Sequence, residues 1–165
     1  MVHVKGAALG VALGLAILTA ACAGGSRRAA PENQQTTVDA GSIQLQPLPA
    51  QTLGAGQCGL FLWTPSAQEP TLVAAAFNTP SEARIRVEGR TRTLPRLTAE
   101  GQLNHGHFER QSFSDGQITL VLDVQFDRNR ELRDGAALEG GSLRIRDGQG
   151  WEAVMPVGGM VACQS

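Results

Sequence analysis

His105 and His107 flank Gly106, and in an extended stretch residues two apart project from one face, as two imidazoles sharing a metal ion must. Two nitrogens do not complete a site. A third ligand would have to come from elsewhere, with Glu109 and Asp115 as the available carboxylates, so His105 and His107 are weak metal candidates beside the ordinary reading of a polar loop. The carboxylates Glu100, Glu109, Asp115, Asp123 and Asp127 contain no pair whose spacing compels a shared acid–base centre. No G-x-S-x-G turn, no Gly-rich phosphate loop leading into a helix and no C-x-x-C pair occurs. The expectation is a protein that is not an enzyme and uses no cofactor. Three cysteines remain, Cys22, Cys58 and Cys163, and the elements around them decide what each can do.

Lys5 followed by the apolar run Ala7 to Leu18 has the charge and length of a secretory signal, and the run is too short to span a bilayer. It ends in Leu18-Thr19-Ala20-Ala21-Cys22, which resembles the lipobox of bacterial lipoproteins, with Thr19 where Leu or Val is usual. The resemblance implies that the Cys22 thiol carries a diacylglycerol and becomes the first mature residue. Two or three acyl chains anchor stably, since each buried methylene adds about 0.8 kcal/mol and one chain alone holds only marginally. Ala23 replaces the aspartate that keeps such lipoproteins in the inner membrane, which implies the periplasmic face of the outer membrane. Ala21-Cys22-Ala23 also fits ordinary signal cleavage, so a soluble periplasmic protein is the alternative.

With Cys22 lipidated, Cys58 and Cys163 are the thiols left in an oxidising compartment, and they are expected to pair as a structural disulfide. Net charge is −1, with 14 basic and 15 acidic residues interspersed, so no basic field is present for nucleic acid. Lys5 is the only lysine, and the Arg-only usage beyond it names no partner.

Residues 22–50 are Gly, Ser, Gln, Thr, Asn, Ala and Pro with scattered charge and no apolar period, and are expected to form a disordered linker after the signal helix of residues 1–21. Residues 51–165 are expected to form one β domain. Cys58 to Trp63 and Thr71 to Phe77 are short apolar runs stopped by turn residues. Ala83, Ile85 and Val87 alternate with charge, and Gly89 returns the chain through Arg90 to Leu97. Ile118, Leu120, Leu122, Val124 and Phe126 occupy every second position, the clearest strand of all. Asp127 to Gly141 reads as a charged connection with at most a short edge strand, and Leu143–Ile145 with Trp151–Val157 reads as a hairpin. Seven to nine short strands and no helical stripe predict an all-β fold, a small antiparallel sandwich or barrel with its first and last strands joined by the disulfide. Trp63 is placed in the core, while Trp151, next to a turn, could be core or exposed anchor.

The segments Gln57 to Trp63, Gly141 to Ile145, Gly150-Trp151-Glu152 and Pro156 to Cys163 resemble a family of small uncharacterised proteobacterial lipoproteins. From Cys58 to Gly101, the order of a cysteine, an apolar strand, Phe77-Asn78, the Ala83–Ile85 strand and Leu94 is similar to membrane-bound inhibitors of c-type lysozyme. The inhibitors' loop uses a serine and a tyrosine, whereas the turn expected here is Ala99-Glu100-Gly101 in a chain without tyrosine, so no site residue carries over. The expected function is binding or structural support in the cell envelope. The membrane would be met through the Cys22 lipid, and the partner would be an envelope protein or polymer. Lysozyme inhibition and metal binding are the alternatives.

Overall fold

A computed structural model describes residues 38–40, 43–66 and 68–165. Ten antiparallel strands follow in order: β1 (Val38–Ala40), β2 (Ile43–Gln46), β3 (Cys58–Trp63), β4 (Leu72–Phe77), β5 (Glu82–Val87), β6 (Arg90–Asn104), β7 (His107–Ser114), β8 (Ile118–Leu132), β9 (Gly135–Asp147) and β10 (Glu152–Cys163). Each strand from β3 to β10 pairs with the next, and β10 pairs back with β3. The result is a closed eight-stranded up-and-down barrel, one of the two architectures expected. Closure removes the sheet edges that an open sandwich would have to protect.

An eight-stranded barrel is just wide enough for side chains to fill it. Here the inward rows of all eight strands do so. Leu60, Leu62, Ile85, Leu94, Phe113, Leu120, Leu122, Leu143 and Ile145 are fully buried. The alternation read on β8 is the alternation observed, with Ile118 to Phe126 inward and Asp123 outward, ion-paired to Arg110 of β7 at 2.6 Å.

The closing seam is β3 on β10, in register from Cys163 opposite Cys58 to Gly158 opposite Trp63. The Cys58–Cys163 disulfide crosses the first pair of this seam, with Cα atoms 4.0 Å apart. Such a bond persists in an oxidising compartment outside the cytoplasm.

Three expectations need correction. The linker read through residue 50 ends earlier, because Ile43–Gln46 is strand β2, paired to Val87 and Arg86 of β5, with Leu45 fully buried. β3 and β4 are short, so β2 continues the wall beyond β4, and β1 lies beside β10. Asp127 to Gly141 is not a connection but the far half of the β8–β9 hairpin, whose register shifts break the alternation a sequence reading depends on. Trp63 lies outside the barrel wall: Leu60 and Leu62 take the inward positions, leaving Phe61 and Trp63 on the outer, half-exposed row.

Candidate functional site

At one end of the barrel lie the disulfide and the β6–β7 turn, which carries the two histidines. His105, at φ 49°, and Gly106, at φ 80°, form the turn itself, so the extended geometry that would align the imidazoles is absent. His105 is exposed and meets the Asn104 side chain. His107 is fully buried and reaches across the barrel end to the Cys58 carbonyl, 3.2 Å from Nε2. A carbonyl only accepts, so Nε2 carries the proton and Nδ1, without a hydrogen-bond partner among the described residues, is a bare lone pair. Burial lowers the His107 pKa to about 4, the Cys58 hydrogen bond opposes this, and the charges of Arg96 and His105 add to it. Glu109 accepts from the Gln102 backbone N–H and Asp115 pairs with Arg92, so neither joins the imidazoles. Among the described residues no three His, Cys, Asp or Glu side chains cluster as metal ligands.

Ala99-Glu100-Gly101, expected to be a turn by similarity to the lysozyme inhibitors, lies within β6 opposite β7, where Glu100 faces Arg110 and a bulge begins. Cys22 and the signal lie outside the described residues.

What the sequence reading missed is on the outer wall. β4 carries Ala74 and Ala76 inward, and its outward Ala75 and Phe77 are equally buried, because the segment from Pro47 to Gln57 crosses over them. Leu48 and Leu53 of this strap, with Phe61 and Leu72, enclose Phe77 in a second, external cluster. Phe61 packs edge-on to Phe77, the Arg84 guanidinium stacks over Phe77 at 4.5 Å, and on its other side Phe61 meets Trp63.

Past Trp63 the described residues provide no such cover. A shallow open groove of about 540 Å³ is lined by Trp63, Thr64, Pro65, Ser66 and Pro70 on one side and Gly158, Gly159 and Met160 on the other. None of these side chains is ionisable. The groove forms because the register between β9 and β10 shifts between Val157 and Met160 where β3 ends, leaving two glycines in the wall. The signal in the sequence was the pair Gly158-Gly159, which shows no relation to Trp63 until the strands pair.

The fold and the groove define a class: a filled, disulfide-closed up-and-down barrel with an apolar surface groove and no reactive constellation among the described residues. Comparison with known protein families, with characterised proteins and with solved structures finds no match to this chain.

Proposed function

We propose that the protein is a lipid-anchored component of the cell envelope, held through Cys22 at the periplasmic face of the outer membrane, whose barrel works by contact through the groove beside Trp63. The observation that carries this reading is an uncharged groove on the outside of a barrel whose lumen is already full, so a partner is met on the wall and not inside. The secretory signal and the disulfide support the compartment, and the lipobox resemblance supports the anchor.

The test is site-specific photo-cross-linking in living cells with the anchored full chain. A photoreactive residue replaces Met160 at the groove or, as control, Thr93 on β6 across the barrel. Recurrent capture of one envelope component from position 160 and not from position 93 is expected. Equal capture from both positions, or none above background at 160, would overturn the reading.

A further inference from the structure

The outer wall near Trp63 already holds one peptide, which belongs to the chain itself. Leu48, flanked by Pro47 and Pro49, is buried against Phe77 and Phe61, and its amide donates to the Leu72 carbonyl at 2.8 Å. The two prolines fix an extended backbone and remove amide donors that would otherwise need partners. Phe61 meets Trp63 with ring centroids 6.2 Å apart, so the seat of Leu48 and the groove are neighbouring parts of one apolar surface. Among the described residues the first part is covered and the second is open.

Gly158 and Gly159 mark the open part, for different reasons. A Cβ on Gly159 would stand 2.3 Å from the Phe61 carbonyl oxygen, so strand packing requires that glycine. A Cβ on Gly158 would meet nothing within 4 Å among the described residues, and Gly158 has no positive φ. Glycine inside a strand costs stability and often marks close approach by another chain or a ligand. Gly158 sits opposite Trp63 on the same outer row, where any side chain would stand in the groove.

We propose that this groove binds an extended, uncharged segment of a partner protein that presents an aliphatic residue between prolines, the chemistry of Pro47-Leu48-Pro49. The inference rests on the contact reading above and names its occupant. A lining without ionisable groups offers a charged segment no counter-charge for its lost hydration. The hydroxyls of Thr64 and Ser66 already accept amides of their own loop, and the lining has no side-chain amide or carboxylate of the kind that orients a sugar. Proline-rich segments dock on aromatic-lined grooves at low entropic cost because their extended form is preset.

The experiment titrates the full chain, in detergent, with the blocked peptide Gln-Pro-Leu-Pro-Ala-Gln, following the Trp63 indole and Met160 methyl NMR signals. Saturable shifts at both, with Kd below about 1 mM, are expected. Gly158→Leu should weaken binding at least tenfold without changing the rest of the spectrum, and a peptide with Asp for Leu should not bind. Absence of saturation, or equal affinity in Gly158→Leu, overturns the proposal. So does displacement of the signals by a neutral oligosaccharide instead of the peptide, or a Gly158-dependent self-association that makes a second copy the occupant. If the peptide fails while cross-linking from position 160 still captures a partner that Gly158→Leu abolishes, the contact reading stands and only the occupant falls. Failure of both experiments removes both.

Discussion

His107 on β7 donates from Nε2 to the carbonyl oxygen of Cys58 on β3, joining strands on opposite sides of the barrel at the end where the disulfide closes it. Asn78 reinforces the same point: its Oδ1 accepts from the Cys58 backbone N–H at 2.8 Å, and its own backbone N–H donates to the Cys58 carbonyl at 3.1 Å. Gly106 packs on the Asn78 side chain so closely that a Cβ there would lie 2.8 Å from the Asn78 Cβ. The turn thus caps the barrel end, and it does so with a neutral imidazole.

A pH dependence follows from that neutrality. The His107 pKa is lowered from 6.5 in the unfolded chain to about 4 in the fold, so between these values the unfolded chain binds the extra proton. The stabilisation is complete above pH 6.5 and is lost as pH falls toward 4, approaching about 3 kcal/mol. Urea midpoints of the wild type should therefore drop between pH 7 and 4.5. In His107→Gln, whose amide can donate to the same carbonyl but does not titrate, most of that drop should vanish. Carboxylates such as Glu152, held below their usual range first by the Arg146 hydrogen bond and then by Arg144, lose their contribution at lower pH, outside this window. An unchanged pH slope in the variant would mean that His107 is not neutral in the fold.

The two adjacent glycines of β10 should separate cleanly. Gly159→Ala puts a methyl against the Phe61 carbonyl and Leu62 and should cost on the order of 1–3 kcal/mol. Gly158→Ala enters open space and should be neutral or stabilise by up to about 1 kcal/mol through the lost chain entropy. Thermal melts of the two variants measure both, and a severe loss in Gly158→Ala would tie that glycine to the fold and not to the groove.

Legibility in the sequence tracked how many residues reported the same periodicity. β8 offered five inward residues in strict alternation, so its core face could be read directly. β3 offered an unbroken apolar run, Leu60 to Trp63, in which inner and outer rows are both apolar. Parity could not place Trp63 there, and the groove was lost with it. β2 shows only Ile43 and Leu45 among polar neighbours, too little pattern to distinguish from a linker, and only its pairing to β5 buries them. Cys58 and Cys163 were legible as a pair because an oxidising compartment was expected and the third cysteine, Cys22, was assigned to the lipid. The alignment weighed for the two imidazoles, only a weak candidate beside a polar loop, needs an extended stretch, and a turn separates them instead.

Leu45 tests how far the domain extends. It is fully buried at the position where β2 carries the wall past the end of β4. Leu45→Ala should cost about 2–5 kcal/mol, the range for a core leucine, where a linker residue would cost nothing measurable. Denaturant unfolding gives the number, and a change under 0.5 kcal/mol would return residues 43–46 to the linker.

The disulfide closes a loop with a sequence separation of 105, joining the first and last barrel strands. In the chain-entropy model such a closure stabilises by about 4–5 kcal/mol, and without it the β3–β10 seam must be found by the most distant pairing in the barrel. The paired variant Cys58→Ser with Cys163→Ser should lose stability of that order and refold more slowly. Equal stability of the oxidised and reduced chains in urea would show that the seam is held by its ladder and core contacts alone.

The anchor rests on Cys22 and can be separated from every property of the barrel. If Cys22 carries the diacylglycerol, two or three acyl chains hold the chain on the membrane through high-salt and alkaline washes, because the attachment is apolar and not electrostatic. Cys22→Ala should then move the protein entirely into the soluble periplasmic fraction, with the Cys58–Cys163 disulfide and the melting temperature unchanged. It should also abolish metabolic labelling with palmitate, which ordinary signal cleavage after Ala23 would never have given. Continued membrane retention of a Cys22→Ala chain whose intact mass shows the signal removed would place its attachment on the barrel surface, and the apolar groove beside Trp63 would be the first place to look.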